Sequence, residues 1–547
     1  MDAPTSVFVS YSPSMNISTS LSHGYTGISI ANGSILAHGS ILAAVAQRSR
    51  QFFEFLDALT PGEITLLESH ERLLDDPTFL IHRNCDSPID FGKPLAIWKC
   101  SLLNDTMENF LKNWTFHNDE RYGRLLFPVF LLIACKSSEP TETAADDDQR
   151  ELKSKVTIDI KVGKKVNDIL LELAKQSIND RPAKGSAIEM FSTPFGNPFF
   201  ADTITRGIIG NLLGTNNCLM LIDATVLPGC EGGPVYLIGE RARKTLCGMA
   251  IASFCRCRGE RVDYTLAVNL LPSLNEILQT RVTRNKSFCL TPIVLPFTRP
   301  TANRNETIVN ESSSPFHRLG TLEQSVAIVS CGLNWGTGIL LDQETGTFIT
   351  CAHVVARAPE CKIELASYVA SRNARPAWTA PAKLIYKTPD NRPYDVAVLR
   401  ADFNCKQTSM KPIKLADSPA VNGEPVLSIG FPFCSTGRAT ISNGIISKTS
   451  KYMLQTNCCA QSGVSGGPIV RPFSLEMLGM IVCNTVSTND STLYTRLCMA
   501  IPSSTLKGPL NDYLRTADPN TLKNLTRYDH DIEANWNLRR PFIRSNI

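Results

Sequence analysis

At 547 residues the chain is too long for one core: about 150 residues per domain, or roughly 250 for all-β folds, gives two large domains or three modest ones. Its 43% apolar and 19% charged content is that of a globular protein, and 55 basic against 51 acidic residues leave a net charge of only +4. That balance excludes a strong electrostatic footprint for nucleic acid, and the longest apolar run, residues 125–134, is far short of the roughly 20 needed to enter and cross a bilayer.

From the start of the chain, residues 1–16 show no basic segment followed by a long apolar stretch, so no secretory signal is expected. The 18 cysteines lack the double C-x-x-C spacing of a zinc ribbon; Cys255-Arg256-Cys257 is too tight to chelate, and Cys458 and Cys459 are adjacent. The sequence therefore predicts no disulfide framework, no metal and no cofactor, and its thiols suit a reducing compartment. Triplets such as Asn305-Glu306-Thr307 then carry no glycan.

Helical periodicity is confined to residues 41–56, 166–176 and 503–515. The polar, acidic stretch 136–150 reads as a disordered loop, and residues 285–320, rich in Pro, Asn, Ser and Thr, as an exposed connector. Elsewhere, short β-branched runs are punctuated by Gly, Pro, Asn and Asp. Those at 325–330, 338–341, 347–350, 396–400, 425–429 and 468–470 predict an all-β architecture of sandwiches or barrels. Domains at 1–284 and 321–515 are expected, joined by the connector 285–320 and followed by a tail at 516–547.

The two halves echo each other. Gly24-Tyr25-Thr26-Gly27-Ile28, then Leu36-Ala37-His38-Gly39, parallels Trp335-Gly336-Thr337-Gly338-Ile339, then Thr350-Cys351-Ala352-His353. Arg206-Gly207-Ile208-Ile209 parallels Asn443-Gly444-Ile445-Ile446, and Pro228-Gly229-Cys230-Glu231-Gly232-Gly233-Pro234 parallels Ser462-Gly463-Val464-Ser465-Gly466-Gly467-Pro468. Three matches in one order indicate an internal duplication.

Acyl transfer by a hydroxyl needs a base, an anion that orients it, and donors for an oxyanion. A lone histidine is more often a surface or core residue, but His353 ends an apolar strand in Thr350-Cys351-Ala352-His353-Val354, where its ring faces a cleft. Asp395, in Tyr394-Asp395-Val396-Ala397-Val398-Leu399, is either a turn-former or the carboxylate that orients His353. Ser465, in Ser462-Gly463-Val464-Ser465-Gly466-Gly467-Pro468, is the candidate nucleophile. The glycines allow a tight loop whose Gly463 and Ser465 amides aim at one point, an oxyanion hole.

The chain order His, Asp, Ser within A-H, D-V-A-V-L and G-x-S-G-G-P resembles the chymotrypsin/HtrA clan. The duplicated plan and the segments Gly430-Phe431-Pro432-Phe433, Ser442-Asn443-Gly444-Ile445-Ile446-Ser447 and Met453-Leu454-Gln455-Thr456-Asn457-Cys458 narrow this. They resemble the peroxisomal leader-peptide-processing protease family, related to plant peroxisomal Deg-type proteases. The resemblance implies two trypsin-like double β-barrel modules in tandem, the first degenerate. It also implies a peroxisomal serine endopeptidase that removes N-terminal presequences, often after Cys, and processes enzymes of fatty-acid β-oxidation. Protein or peptide substrates, homo-oligomers and self-cleavage belong to the same picture.

In the first half Glu231 stands at the nucleophile position, where a carboxylate cannot serve as an activated hydroxyl. By the A-H match, His38 holds the base position, although Gly39 follows it; Asp168 could be a leftover acid, but it lies 130 residues after His38 (168 − 38), a poor match in spacing. Cys230 lies one position too early to replace the serine. In the second half, Cys459, Ile481, Val482 and Cys483 are expected to line the first specificity pocket, as the resemblance implies; none is acidic, which disfavours Lys or Arg. The terminal Ser545-Asn546-Ile547 has the serine of a peroxisomal tripeptide and an Ile nearly isosteric with Leu, but lacks the central positive charge, which leaves cytoplasm as the alternative address. The competing functions are an HtrA-like quality-control protease and a catalytically silent two-barrel scaffold.

Overall fold

The computed structural model describes residues 5–12, 24–30, 33–67, 78–83, 89–116, 120–136, 162–177, 180–224, 226–239, 243–252, 255–257, 260–284, 319–368, 376–390, 392–402, 408–433, 437–486, 493–528 and 530–536. Contacts divide the chain into Met1–Glu306 and Thr307–Ile547, a division that falls inside the polar connector. Residues 137–150 of the acidic loop, 285–318 of the connector and the C-terminal tripeptide lie outside the described residues.

Each unit is two closed barrels of six strands. In the second unit the first barrel uses Val326–Cys331, Asn334–Asp342, Thr347–Thr350, Ile363–Ser367, Trp378–Lys387 and Ala397–Ala401. The second uses Pro425–Gly430, Thr440–Thr449, Leu454–Thr456, Pro468–Val470, Met477–Val486 and Leu493–Pro502. Both close in the ring order first, second, third, sixth, fifth, fourth. Closure pairs each of the six strands with two neighbours. The β-branched runs read from the sequence become these strands because alternate residues fill the barrel. Thr347–Thr350 is buried along its whole length, and Val426, Ile446, Leu454, Val464, Ile469 and Ile481 form the core of the second barrel. Each such side chain contributes roughly 1.5–3 kcal/mol of burial.

The first unit repeats this plan. Thr5–Ser12, Gly24–Ile30, Ser34–His38, Thr78–His82, Asp90–Lys99 and Val129–Lys136 close in the same ring order, with Ile64–Leu66 added beside Asp90–Lys99. Ala187–Ser192, Thr203–Leu213, Leu219–Ile222, Pro234–Ile238, Lys244–Ala252 and Thr265–Asn269 form its second barrel, again in that order.

The predicted helix at 41–56 is instead a 3₁₀ turn, Gly39–Leu42, and two helices, Ala43–Arg48 and Arg50–Asp57. The break is at Ser49, whose backbone is extended and whose hydroxyl accepts from Phe52 N (3.2 Å), capping the second helix. The other two predicted helices are present as Val162–Gln176 and Ser503–Thr516. No described helix is long and apolar enough to cross a membrane.

Candidate active site

In the second unit, the strand Thr347–Thr350 runs into a 3₁₀ turn, Ala352–Val355, which carries His353 with its ring half exposed. Asp395 precedes the strand Ala397–Ala401. Its loop is fixed by Thr388, whose amide donates to Val396 O and whose hydroxyl accepts from Val396 N, both at 2.9 Å. One Asp395 oxygen accepts from the His353 backbone amide at 2.9 Å and the other meets Nδ1 of the same ring. The carboxylate thus fixes both the backbone and the ring of His353. It holds the proton on Nδ1 and leaves Nε2 as an acceptor.

Ser465 sits in the loop before Pro468–Val470, with Gly463 at φ +96° and Gly466 at φ +85°. Side chains are barred from both: a Cβ on Gly463 would lie 2.3 Å from Trp335 Nε1, and one on Gly466 2.1 Å from Thr337 O. The loop is laced to the first barrel through Thr337. Its amide donates to Ser465 O (2.8 Å), its hydroxyl donates to Gly463 O (2.8 Å), and that hydroxyl accepts from Phe431 N (3.2 Å). With their carbonyls held by Thr337, the amides of Gly463 and Ser465 have no acceptor among the described residues, whereas Val464 N bonds Gln461 O. Ser465 Oγ donates to Val482 O at 3.0 Å and makes no hydrogen bond to His353. An imidazole with a fixed tautomer, a hydroxyl and two open amides are the components that acyl transfer requires.

Of the residues read as a specificity pocket, Val482 touches the site through its carbonyl, and Cys459 is fully buried with its amide on Ser442 Oγ (2.8 Å). Ile481 is corrected: its side chain is in the barrel core, and only its main chain faces the site, its carbonyl accepting from Gly466 N and Cys351 Sγ. Cys483 is exposed as a residue, yet the packing around its thiol and the Asp395 charge push that thiol up to about 11, so it stays protonated at neutral pH. Donor atoms of Cys351, His353 and Asp395 lie within 4.8 Å of one another. Burial, then Asp395, drives the Cys351 thiol well above its ordinary range, and its Sγ donates to Ile481 O at 3.3 Å.

The first unit repeats this geometry with other side chains. Thr26 N donates to Glu231 O (3.0 Å), Thr26 Oγ1 donates to Gly229 O (3.0 Å), and Thr193 N donates to Thr26 Oγ1 (2.9 Å). Gly229 has φ +94° and Gly232 +89°. Glu231 therefore occupies the place of Ser465, and Thr26 that of Thr337. The hydrogen-bond ladder corrects the base assignment. Ile28 pairs with Leu36 as Ile339 pairs with Ile349, so His38 falls on Cys351 and Ser40 on His353. His38 and Cys351 also both cap the following 3₁₀ turn. Leu131 pairs with Ala37 as Ala397 pairs with Thr350, which puts Val129 where Asp395 stands. Asp168 belongs to the helix Val162–Gln176 instead.

His38 is a core residue. Its Nε2 donates to Phe127 O (3.1 Å), its Nδ1 faces Ser40 Oγ (2.8 Å), and burial lowers its pKa to about 4. Cys230 joins the second barrel's core, where burial raises its thiol to about 11. A Glu231 oxygen accepts from Gly229 N at 2.9 Å, filling the place that stands open at Gly463. Thr337 and Thr26 were missed by the sequence reading. Their shared T-G step, visible in both halves, was the signal.

Residues 336–480 match the family model of the trypsin-like peptidase domain. The chain is 28% identical over 373 residues to the peroxisomal leader peptide-processing protease of Homo sapiens, covering 66% of this chain and 61% of that protein. The Mus musculus protein of the same name gives 28% over 369 residues, 65% of this chain and 61% of that protein. The periplasmic serine endoprotease DegP of Escherichia coli (strain K12) is 27% identical over 182 residues, 31% of this chain and 34% of that one. A solved serine endoprotease from Yersinia pestis shows 22% identity and a TM-score of 0.30 over 38% of this chain and 68% of that chain. The chain spans about 61% of the length of the two curated peroxisomal relatives it matches. The family resemblance and the trypsin-like all-β fold expected from the sequence are borne out.

Proposed function

We propose that the trypsin-like domain of the second unit is a working serine endopeptidase, with Ser465 as nucleophile, His353 as base and Asp395 as the group that orients it. The observation that carries this is the two-point hold of Asp395 on His353, beside a serine flanked by two open amides. A peptide carbonyl placed against those amides draws the hydroxyl away from Val482 O and toward His353 Nε2. Oγ then bonds to the carbonyl carbon as its proton passes to Nε2. The negative oxygen accepts from Gly463 N and Ser465 N. Collapse breaks the C–N bond, and Nε2–H gives its proton to the departing amine. Water repeats the sequence on the acyl-enzyme and restores the serine.

The substrates proposed are precursor proteins that carry N-terminal presequences and the address is the peroxisome, in keeping with the names of the relatives. A homo-oligomer and division of the chain at residues 284 and 321 complete the proposal. A fluorophosphonate probe should label the wild-type protein and leave Ser465→Ala unlabelled. Incubation with a peroxisomal precursor should then yield one defined N-terminal cut. Equal labelling of both proteins would remove Ser465 from the mechanism. Labelling without precursor cleavage would keep the protease and discard the processing role.

A further inference from the structure

The residues after Arg515, expected as a tail, continue the fold of the second unit. Asp518 caps the 3₁₀ helix Pro519–Thr526, its Oδ1 accepting from Asn520 N at 3.0 Å. That helix buries Leu522 and Leu525, and it packs on the helix Ser503–Thr516 and on the strand Trp378–Lys387 of the first barrel. A short helix, His530–Trp536, follows with Ile532 buried. A segment that buries three aliphatic side chains is held to the domain rather than trailing from it.

Two aromatic side chains of this segment grip the loop that carries Asp395. The loop is closed at its base, where Thr388 and Val396 exchange hydrogen bonds. Within it the Arg392 guanidinium lies over the Tyr528 ring at 5.3 Å. Tyr394, next to Asp395 and only 2% exposed, meets the Trp536 ring edge-on, with ring centres 6.1 Å apart and an interplanar angle of 90°. From Nε1, Trp536 also donates to Tyr452 O at 3.1 Å. Tyr452 lies in the turn between Thr440–Thr449 and Leu454–Thr456 of the second barrel, and Ser450 Oγ fixes that turn by accepting from Tyr452 N (3.2 Å) and Met453 N (3.0 Å). One indole thus spans from the barrel of Asp395 to the barrel of Ser465.

We infer that Trp536 is a positioning residue for the proposed triad. Its ring holds Tyr394, and through it Asp395, while its N–H ties that loop to the barrel of the nucleophile. Asp395 must reach both the amide and the ring of His353, and a displacement on the order of 1 Å is enough to spoil such a hold. The inference rests on the reading of His353, Asp395 and Ser465 as a triad, and Trp536 acts on it without touching the reacting atoms.

The test uses full-length protein and a fluorophosphonate, whose rate of attachment to Ser465 is followed against probe concentration. Trp536→Leu keeps apolar bulk but removes the ring and its N–H. It should lower the limiting rate by about 10- to 100-fold and leave the half-saturating concentration within about 2-fold. Trp536→Phe, which keeps a ring against Tyr394, should recover most of that rate. Amide exchange of residues 392–396 should quicken in Trp536→Leu. In Asp395→Asn protein the same Trp536→Leu change should cost nothing further, because a residue acting through Asp395 has nothing left to position. An unchanged limiting rate in Trp536→Leu overturns the inference. So does an equal loss in both backgrounds, which would leave Trp536 a structural residue only. The triad reading fails separately, by equal labelling rates of wild-type and Asp395→Asn protein.

Discussion

The loops at residues 228–234 and 462–468 share one backbone and differ in purpose. Their positive-φ glycines match within a few degrees, and a threonine hydroxyl clasps the same carbonyl in each. In one, the amide of Gly463 stands open beside a serine. In the other, the amide of Gly229 is taken by the glutamate two residues on. The comparison teaches that the barrels specify the loop and that three side chains specify the chemistry. Ser40, Val129 and Glu231 stand on the scaffold where His353, Asp395 and Ser465 form the proposed reaction centre.

The comparison breaks most visibly at Asp395. Asp395→Asn should cut kcat/KM on a peptide substrate by about 10⁴-fold, because the ring loses the partner that selects its tautomer. A loss below 10-fold would mean that the two-point hold on His353 is idle. The first unit's counterpart of this dependence is on proton uptake. Burial holds His38 near pKa 4 against about 6.5 in the unfolded chain. As pH falls from 6.5 the unfolded form takes up the proton first. Up to about 3 kcal/mol is therefore present above pH 6.5 and lost on the way to pH 4. His82, also lowered by burial, acts in the same direction. Amide-exchange protection of the strand Ser34–His38 should fall over that window, and His38→Gln should flatten the fall.

A matched pair sharpens the comparison further. Thr337→Val and Thr26→Val each remove a hydroxyl with two buried hydrogen bonds, at about 1–3 kcal/mol of stability. Only Thr337→Val should also lower kcat, since only that loop carries the proposed nucleophile; equal kinetic losses would defeat the distinction. The smallest effect expected is none. Glu231→Ser in the Ser465→Ala background should gain no fluorophosphonate labelling, because Ser40 and Val129 supply neither base nor acid.

The strands and the loop around Ser465 were legible because their signals are local. β-branched alternation marks a strand, and glycines on both sides of a serine mark positive φ. The match of Ala37-His38 to Ala352-His353 misled because it compared dipeptides. Register is set by the ladder, and the chain between Ile28 and Leu36 is two residues shorter than that between Ile339 and Ile349. Asp168, 130 residues after His38 (168 − 38), is a poor match by spacing alone, and the helix carries it away from the strand end. The bond from Gly229 N to Glu231 was beyond reach because it needs the loop's dihedral angles as well as its letters.

The bond from Ser465 to the Val482 carbonyl bears on how such a molecule survives among other proteins. A hydroxyl whose proton is parked on a neutral acceptor is as unreactive as any serine in water. In the proposed mechanism an occupant arms the serine by ending that liaison. Discrimination then rests on how well a visiting chain competes for one carbonyl, as well as on the side chain it offers to a pocket.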